Sequence, residues 1–207
     1  MAQIQEDLSQ RIRVLEEELR TALEEKERTF GYHWVQGKAK FEEDVLSKQR
    51  KLKQWLPSYL LHSRFLALVT APVIYVGFIP FCLLDLFLAF YQGICFPIYG
   101  IPKVRRADYI IFDRGRLQYL NLLERFNCMY CSYANGLCAY VTEIAARTEQ
   151  HWCPIKHALR LRAPHSRYPH FFDYGDAQQY SRQIEKVRND FVDVRSLTST
   201  GPDTNAK

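Results

Sequence analysis

The chain has 207 residues, with 28 Lys and Arg against 23 Asp and Glu, and 47% of its residues are hydrophobic. This composition excludes a collagen-like, mucin-like or globally disordered protein, and the length fits one domain with appendages. The net charge of +5 is small. Much of the basic excess flanks an apolar stretch instead of forming a stripe, so we expect no nucleic-acid partner.

Residues 1–30 contain neither Gly nor Pro and repeat apolar residues at heptad spacing. The a and d positions are Leu8, Ile12, Leu15, Leu19 and Ala22. The segment is acidic and has no apolar core, so we do not expect a cleaved targeting peptide. The pattern predicts an amphipathic helix that either packs on its own protein or forms a coiled coil with a protein partner or a second copy.

Residues 31–59 are rich in Lys and Arg. The spacing of breakers predicts a helix from about Gly37 that ends before Pro57. Trp55 and Tyr59 would then lie at the headgroup level of a membrane. We therefore predict a basic juxtamembrane helix in this segment.

The run from Phe65 to Ile101 contains a single ionisable side chain, Asp85. One helix of this length would measure about 55 Å, against about 30 Å for a hydrocarbon core, whereas two passes of about 18 residues fit. Gly77 and Pro80 supply a break between them. We predict a two-pass transmembrane hairpin over residues 60–101 in a lipid bilayer.

Basic residues flank this hairpin on both sides, which predicts that both termini of the chain are cytoplasmic. They are Lys48, Arg50, Lys51, Lys53 and Arg64 before it and Lys103, Arg105 and Arg106 after it. The hairpin also puts Asp85 near the far interface, where we expect a solvated carboxylate, with a proton-relay or polar-partner role as the alternative.

Residues 102–190 are predicted to form a small, α-rich cytoplasmic module. Within it, Asp108–Asp113 is a β-like run and Leu117–Asn127 has the apolar periodicity of a helix. Residues 191–207 are rich in Ser, Thr and Asp, which predicts a disordered tail.

Four of the six cysteines lie in the module, in a compartment that we expect to be reducing, which disfavours disulfides and leaves metal binding or thiol redox chemistry. Cys128 and Cys131 form a CxxC that we expect to sit on a turn. Cys153 and His157 are four residues apart and share one face if that stretch is helical. These four residues predict a closed Cys3His zinc site. The substitutes for its last two ligands are Cys138 and His151.

Two other roles for the cysteines stay open at this point. Cys153-Pro154 resembles the Cys-Pro of ferredoxins, so an iron–sulfur cluster is the alternative centre. Thioredoxin-like chemistry is disfavoured. The CxxC follows a predicted helix, whereas a redox CxxC follows a strand and begins a helix. Structural thiols with no shared chemistry are the third interpretation.

The chain contains no GxSxG, Walker, HExxH or GxGxxG motif, and no nucleophile with a base and an orienting group is visible. We therefore expect a mostly α-helical, membrane-anchored, noncatalytic adaptor with a structural metal-binding module. The alternative is a membrane-bound thiol-redox or iron–sulfur electron-transfer protein that uses Cys128 and Cys131.

Several phrases of the sequence are distinctive, among them FCLLDL, NCMYCSYANGL, EIAARTEQHWCPIKHA and HSRYPHFFDYGDA. Over residues 58–174 the chain resembles an uncharacterised family of small bacterial inner-membrane proteins with a CxxC…CPIKH cysteine module. The resemblance implies a location in the bacterial inner, or cytoplasmic, membrane. It implies no activity and no ligand set, and the heptad segment lies outside it.

Overall fold

The computed structural model describes residues 2–35, 38–53, 55 and 65–199. Over these residues the chain is mostly helical, which confirms the α class. The elements in chain order are α1 (Ala2–Phe30), β1 (Tyr32–Val35), β2 (Lys38–Phe41), α2 (Glu43–Lys51), α3 (Phe65–Val76), α4 (Phe78–Tyr99), α5 (Leu122–Trp152), α6 (Ala177–Asn189) and α7 (Val192–Ser199). The predicted positions of Pro57, Tyr59 and the tail beyond residue 199 lie outside the described residues.

Helix α1 ends at a glycine that the local packing requires. Gly31 has a φ of +59°, and a Cβ atom there would lie 2.6 Å from Cγ2 of Val45. A left-handed residue without a side chain is the usual way to end a helix. The chain therefore turns sharply out of α1 and into β1.

The basic segment after α1 is not the single helix that the sequence predicted. Strands β1 and β2 pair antiparallel, with Tyr32 opposite Phe41 and their ring centroids 5.6 Å apart. Only the residues of α2, Glu43–Lys51, are helical. The predicted helix start at about Gly37 is thus wrong, because Lys38–Phe41 form a strand that pairs with β1.

Helices α3 and α4 follow one another without a reversal of the chain. Gly77, between them, has helical backbone angles, with φ −58° and ψ −17°. Aromatic side chains along α3 and α4 meet α5 in chain order, from Tyr75 on Phe126 at 5.2 Å to Tyr99 on Trp152 at 5.3 Å. Successive contacts in this order require α3–α4 and α5 to run parallel.

The two-pass hairpin is therefore not confirmed. Within the described residues, one helical stretch, Val69–Tyr99, is long and apolar enough to cross a membrane. Gly77 and Pro80 were expected to break the run, but a glycine adopts helical angles readily and a proline is tolerated in the first turn of a helix, where its missing N–H has no partner to lose.

Helix α5 is longer than predicted and begins later. Asn121 caps it: the side chain of Asn121 accepts from the Glu124 amide at 2.9 Å, and the Glu124 carboxylate accepts from the Asn121 amide at 2.8 Å. From there the helix continues to Trp152, so the predicted end at Asn127 and the predicted turn at the CxxC are both wrong. No proline interrupts these 31 residues, and the reciprocal cap stabilises the start.

Residues 100–121, the return segment, run back between the parallel helices α4 and α5. The predicted strand at Asp108–Asp113 is absent: the described backbone there forms short 3-10 turns and irregular structure. Gly136 on α5 permits the close approach, since a Cβ there would lie 2.6 Å from the carbonyl oxygen of Tyr109. The buried side-chain amide of Gln92 on α4 donates to the carbonyl of Val104 and accepts from the Val104 backbone N–H.

The C-terminal residues pack on the end of α5. Phe191 and Val194 are buried in the same core as residues of α4, α5 and the return segment. The tail that the sequence predicted to be disordered from residue 191 thus forms α7 as far as Ser199. The burial of Phe191 and Val194 holds this segment on the core.

Candidate functional site

The outward side of α3 and α4 is a large apolar surface. Leu83, Phe87 and Ile94 are each about 60% exposed, at 62%, 60% and 61%. Together with these, the exposed side chains of this apolar surface are Leu66, Val69, Val73, Ile74, Val76, Phe78, Ile79, Leu84, Leu86, Phe90 and Ile98. Contiguous apolar surfaces of this extent are typical of sites that contact a membrane or another protein.

A cavity of about 480 Å³ opens beside this surface, between the start of α4, the first half of α5 and the return segment. Aromatic rings form most of its wall. Phe78 contacts Tyr133 with the ring centroids 5.4 Å apart, and Tyr75 contacts Tyr130 at 5.9 Å. The remaining lining residues of this aromatic cavity are Cys82, Asp85, Arg106, Phe112, Phe126 and Met129.

An ion pair closes one side of the aromatic cavity. Arg106 donates from Nη2 to Oδ2 of Asp85 at 2.7 Å and from Nε to Oδ1 at 3.1 Å. The Tyr133 hydroxyl donates to the same carboxylate at 3.0 Å. The Asp85 side chain is only 16% exposed. The carboxylate is therefore paired and largely covered, whereas the sequence predicted a solvated one.

The electrostatics of this cluster keep its members in one protonation state. The hydrogen bonds and charge of Asp85 raise the pKa of Arg106, and burial raises the pKa of the Tyr133 hydroxyl. Tyr133 therefore stays a neutral donor and Arg106 a cation. The cluster carries no net charge and holds no group poised to exchange a proton near neutral pH.

The structure does not bring the predicted zinc ligands together. Cys128 and Cys131 lie in the first third of α5, and Cys153 follows its last residue. At 1.5 Å per residue, Cys131 and Cys153 are about 33 Å apart along the helix, whereas a zinc–sulfur bond measures about 2.3 Å. One ion within one chain cannot bind both. No group of three or more His, Cys, Asp and Glu side chains with metal-binding geometry occurs among the described residues.

The substitute ligands and His157 lie apart as well. Cys138 is exposed on α5. His151 stacks on Tyr99 with the ring centroids 5.3 Å apart, and His157 stacks on Tyr168 at 6.4 Å. The CxxC sits in the interior of α5, whereas redox CxxC motifs sit at a helix N-terminus. The described geometry therefore separates the predicted zinc ligands and leaves Cys128 and Cys131 as a pair within one helix.

A second cavity, of about 310 Å³, is polar and lies between the return segment, α5 and the C-terminal residues. Several of its charged side chains pair with one another. Arg147 donates to Glu143 at 2.7 Å and to the Pro102 carbonyl at 2.8 Å, and Arg167 pairs with Asp193. These contacts fasten the return segment and α7 to α5, and we assign them a structural role.

Sequence reasoning missed both the aromatic cavity and the Asp85–Arg106 pair. A lone acid in an apolar run is a signal that a partner exists, but the two residues are 21 positions apart and nothing local connects them. No family model, curated protein or solved structure matches the chain. The apolar surface, the aromatic cavity and the ion pair are therefore the observations from which a function can be argued.

Proposed function

We propose that the protein is a noncatalytic, membrane-attached interaction protein that binds a lipid bilayer through the apolar surface of α3 and α4. One observation carries the proposal: over the 31-residue apolar stretch Val69–Tyr99 most side chains are exposed, and only Leu88, Gln92 and Phe96 are buried. Removing a Leu, Ile or Phe side chain from water is worth about 1.5–3 kcal/mol. A surface of so many such side chains is unfavourable in water and favourable against acyl chains.

The exposed charges of the return segment favour a helix that lies along the membrane surface over a two-pass hairpin. Arg105, Arg106 and Asp108 lie beside the middle of α4, and their side chains are 51%, 46% and 55% exposed. A charge at the bilayer centre costs about 2.5–3.5 kcal/mol on insertion scales, and irregular backbone is not stable against lipid. An in-plane arrangement leaves these groups in the headgroup region and keeps both termini on one side, which the flanking charges predict to be cytoplasmic.

Helix α1 supports the interaction role. Leu15 and Leu19, at consecutive d and a positions, are 63% and 61% exposed. A helix with an uncovered heptad stripe gains stability when the stripe pairs with another helix. We propose that α1 recruits a second copy of the chain or a protein partner to the membrane, at the cytoplasmic face of the inner membrane that the resemblance implies.

The test is flotation of the purified full-length chain with phospholipid vesicles. Leu83→Glu with Phe87→Glu adds two charges to the apolar surface, and we expect at least a tenfold loss of vesicle binding. Leu15→Glu with Leu19→Glu is the control, since it adds the same charges at side chains of equal exposure on α1. It should float like the wild type. Equal flotation of both variants would overturn membrane attachment through α3 and α4.

Depth measurements separate the in-plane helix from a transmembrane one. Nitroxide labels at Val73, Leu83 and Ile94, each exposed on the apolar surface, should report similar shallow depths if α3 and α4 lie in the plane. A transmembrane helix puts Leu83 deepest and the other two nearer the interfaces. That result would overturn the in-plane orientation and leave membrane attachment standing.

A further inference from the structure

We infer that the aromatic cavity binds one long-chain amphiphile, with its apolar chain between the rings and an uncharged, hydrogen-bonding head at the Asp85–Arg106 pair. The inference rests on the proposed membrane attachment for the source of the ligand, which is lipid-derived. The ligand class follows from three features: the shape and lining of the cavity, its position beside the apolar surface, and the charge balance of the pair.

The size and lining of the cavity fit an apolar chain. Its volume of about 480 Å³ lies within the range of about 300–1,000 Å³ typical of small-molecule sites. Tyr75 and Phe78 line it from consecutive turns at the end of α3 and the start of α4, and the Tyr130 ring of α5 lies 5.9 Å from Tyr75 and 6.3 Å from Phe78. These contacts hold the wall in place before a ligand arrives, so little ordering of the rings is needed on binding.

The cavity is open toward the side on which the lipid is proposed to lie. Phe78 belongs to both the apolar surface and the cavity wall. Phe126 and Met129, on the opposite wall, are about half-exposed. An acyl or similar chain can therefore pass from the lipid into the cavity along a continuous apolar path, without crossing water.

The ion pair selects an uncharged head. Arg106 uses Nε and Nη2 on Asp85, and a guanidinium has five N–H donors. No acceptor for its Nη1 occurs among the contacts of the described residues, so this nitrogen is left for a ligand oxygen. A carboxylate or phosphate head at Nη1 would face the Asp85 charge a few Å away, and an ammonium head would face Arg106. A hydroxyl or carbonyl oxygen accepts the hydrogen bond without either repulsion.

The probe is a long-chain primary alcohol that carries a diazirine in mid-chain, compared with the fatty acid of the same chain. Both are photolysed with the full-length protein in detergent micelles and in vesicles, and labelled peptides are mapped by mass spectrometry. We expect the alcohol to label α5 between Phe126 and Tyr133. The acid should label it at least fivefold less.

The same substitution at two cysteines provides the variant and its control. Cys82 lines the cavity, whereas Cys138 is exposed on α5 outside it. Cys82→Trp should fill the cavity and reduce labelling of α5 at least tenfold, whereas Cys138→Trp should leave it unchanged. If Cys82→Trp loses its helical circular dichroism, Met129→Trp fills the same cavity from α5 and replaces it.

The outcomes separate the inference from the proposed function. Unchanged α5 labelling in the cavity-filling variant, or equal labelling by acid and alcohol, overturns the inference even if the protein floats with vesicles. Specific labelling in micelles by a protein that does not float overturns the membrane attachment and supports the cavity assignment.

Discussion

At the residue scale, a glycine on α5 packs against the return segment, whereas a glycine on α4 faces open space. A Cβ on Gly136 would lie 2.6 Å from a backbone oxygen of the return segment, whereas a Cβ on Gly93 of α4 meets nothing within 4 Å. Alanine is favoured over glycine in a helix by about 1 kcal/mol. Substitution by alanine therefore gives both positions the same gain in helix propensity, but only the new Cβ at position 136 clashes.

We expect Gly136→Ala to lower the free energy of unfolding by about 1–3 kcal/mol, because the return segment must move away from α5. Gly93→Ala should leave it unchanged or raise it slightly. Denaturant titration in mild detergent, followed by circular dichroism, measures both. Equal free energies for the two variants would mean that the return segment does not pack on α5.

His151 makes stability depend on pH. Burial and the nearby charge of Arg188 lower the pKa of this histidine below 6.5. The folded state therefore binds the proton less readily than the unfolded state, so the stability contribution is complete above about pH 6.5 and is lost as the pH falls through the lowered pKa. We expect His151→Gln to flatten the acid side of the melting-temperature profile, below about pH 6.5. Parallel profiles for the two proteins would refute this.

At the element scale, one buried guanidinium holds α7 on α5. Arg167 donates from Nε to the Gln150 side chain at 2.5 Å and from Nη2 to the Asp190 carbonyl at 2.8 Å, and it pairs with Asp193. A lysine has three donors on one atom and cannot reproduce this planar fork. The C-terminal helix therefore depends on an arginine at this position.

We expect Arg167→Lys to lower the free energy of unfolding by about 1–3 kcal/mol and to make α7 a site of early proteolysis. Arg160→Lys, at an exposed position of the loop before α6, is the control and should be neutral. Limited trypsin digestion with mass spectrometry follows the cleavage. Identical digestion of all three proteins would mean that Arg167 does not anchor α7.

The continuity of α5 determines what the cysteines can do together. Because about 33 Å of helix separates Cys131 from Cys153, we expect Cys131→Ser and Cys153→Ser each to leave the zinc content and the melting temperature of the purified protein unchanged. Elemental analysis and thermal unfolding measure this. One zinc per chain, lost in either variant, would require α5 to break and would restore the Cys3His site.

At the scale of the whole molecule, α1 and the α3–α4 surface are separate interaction elements. Leu15→Glu with Leu19→Glu should leave membrane binding intact and abolish self-association, because it puts charges on the a and d stripe of the heptads. Light scattering of the detergent-solubilised protein measures the mass of the complex. An unchanged oligomeric mass would assign α1 to a different partner.

The helical class and the apolar run were predictable because they depend on local patterns. The capping box formed by Asn121 and Glu124 was also present in the sequence and marks the start of α5. The hairpin at Gly77 was not confirmed, since a glycine followed by a proline permits both a reversal and a continuous helix. Only the packing of Tyr75 and Tyr99 on α5 distinguishes the two.

The sequence by itself determined the composition of each element: a charged heptad helix, an apolar stretch and a helical module, each set by residues within a few turns of one another. Tertiary structure alone decided which distant residues meet. It paired Asp85 with Arg106, formed the aromatic cavity and separated Cys131 from Cys153. The physical reason is that a side chain's partner across the fold depends on the direction and length of whole helices, which no local spacing of residues specifies.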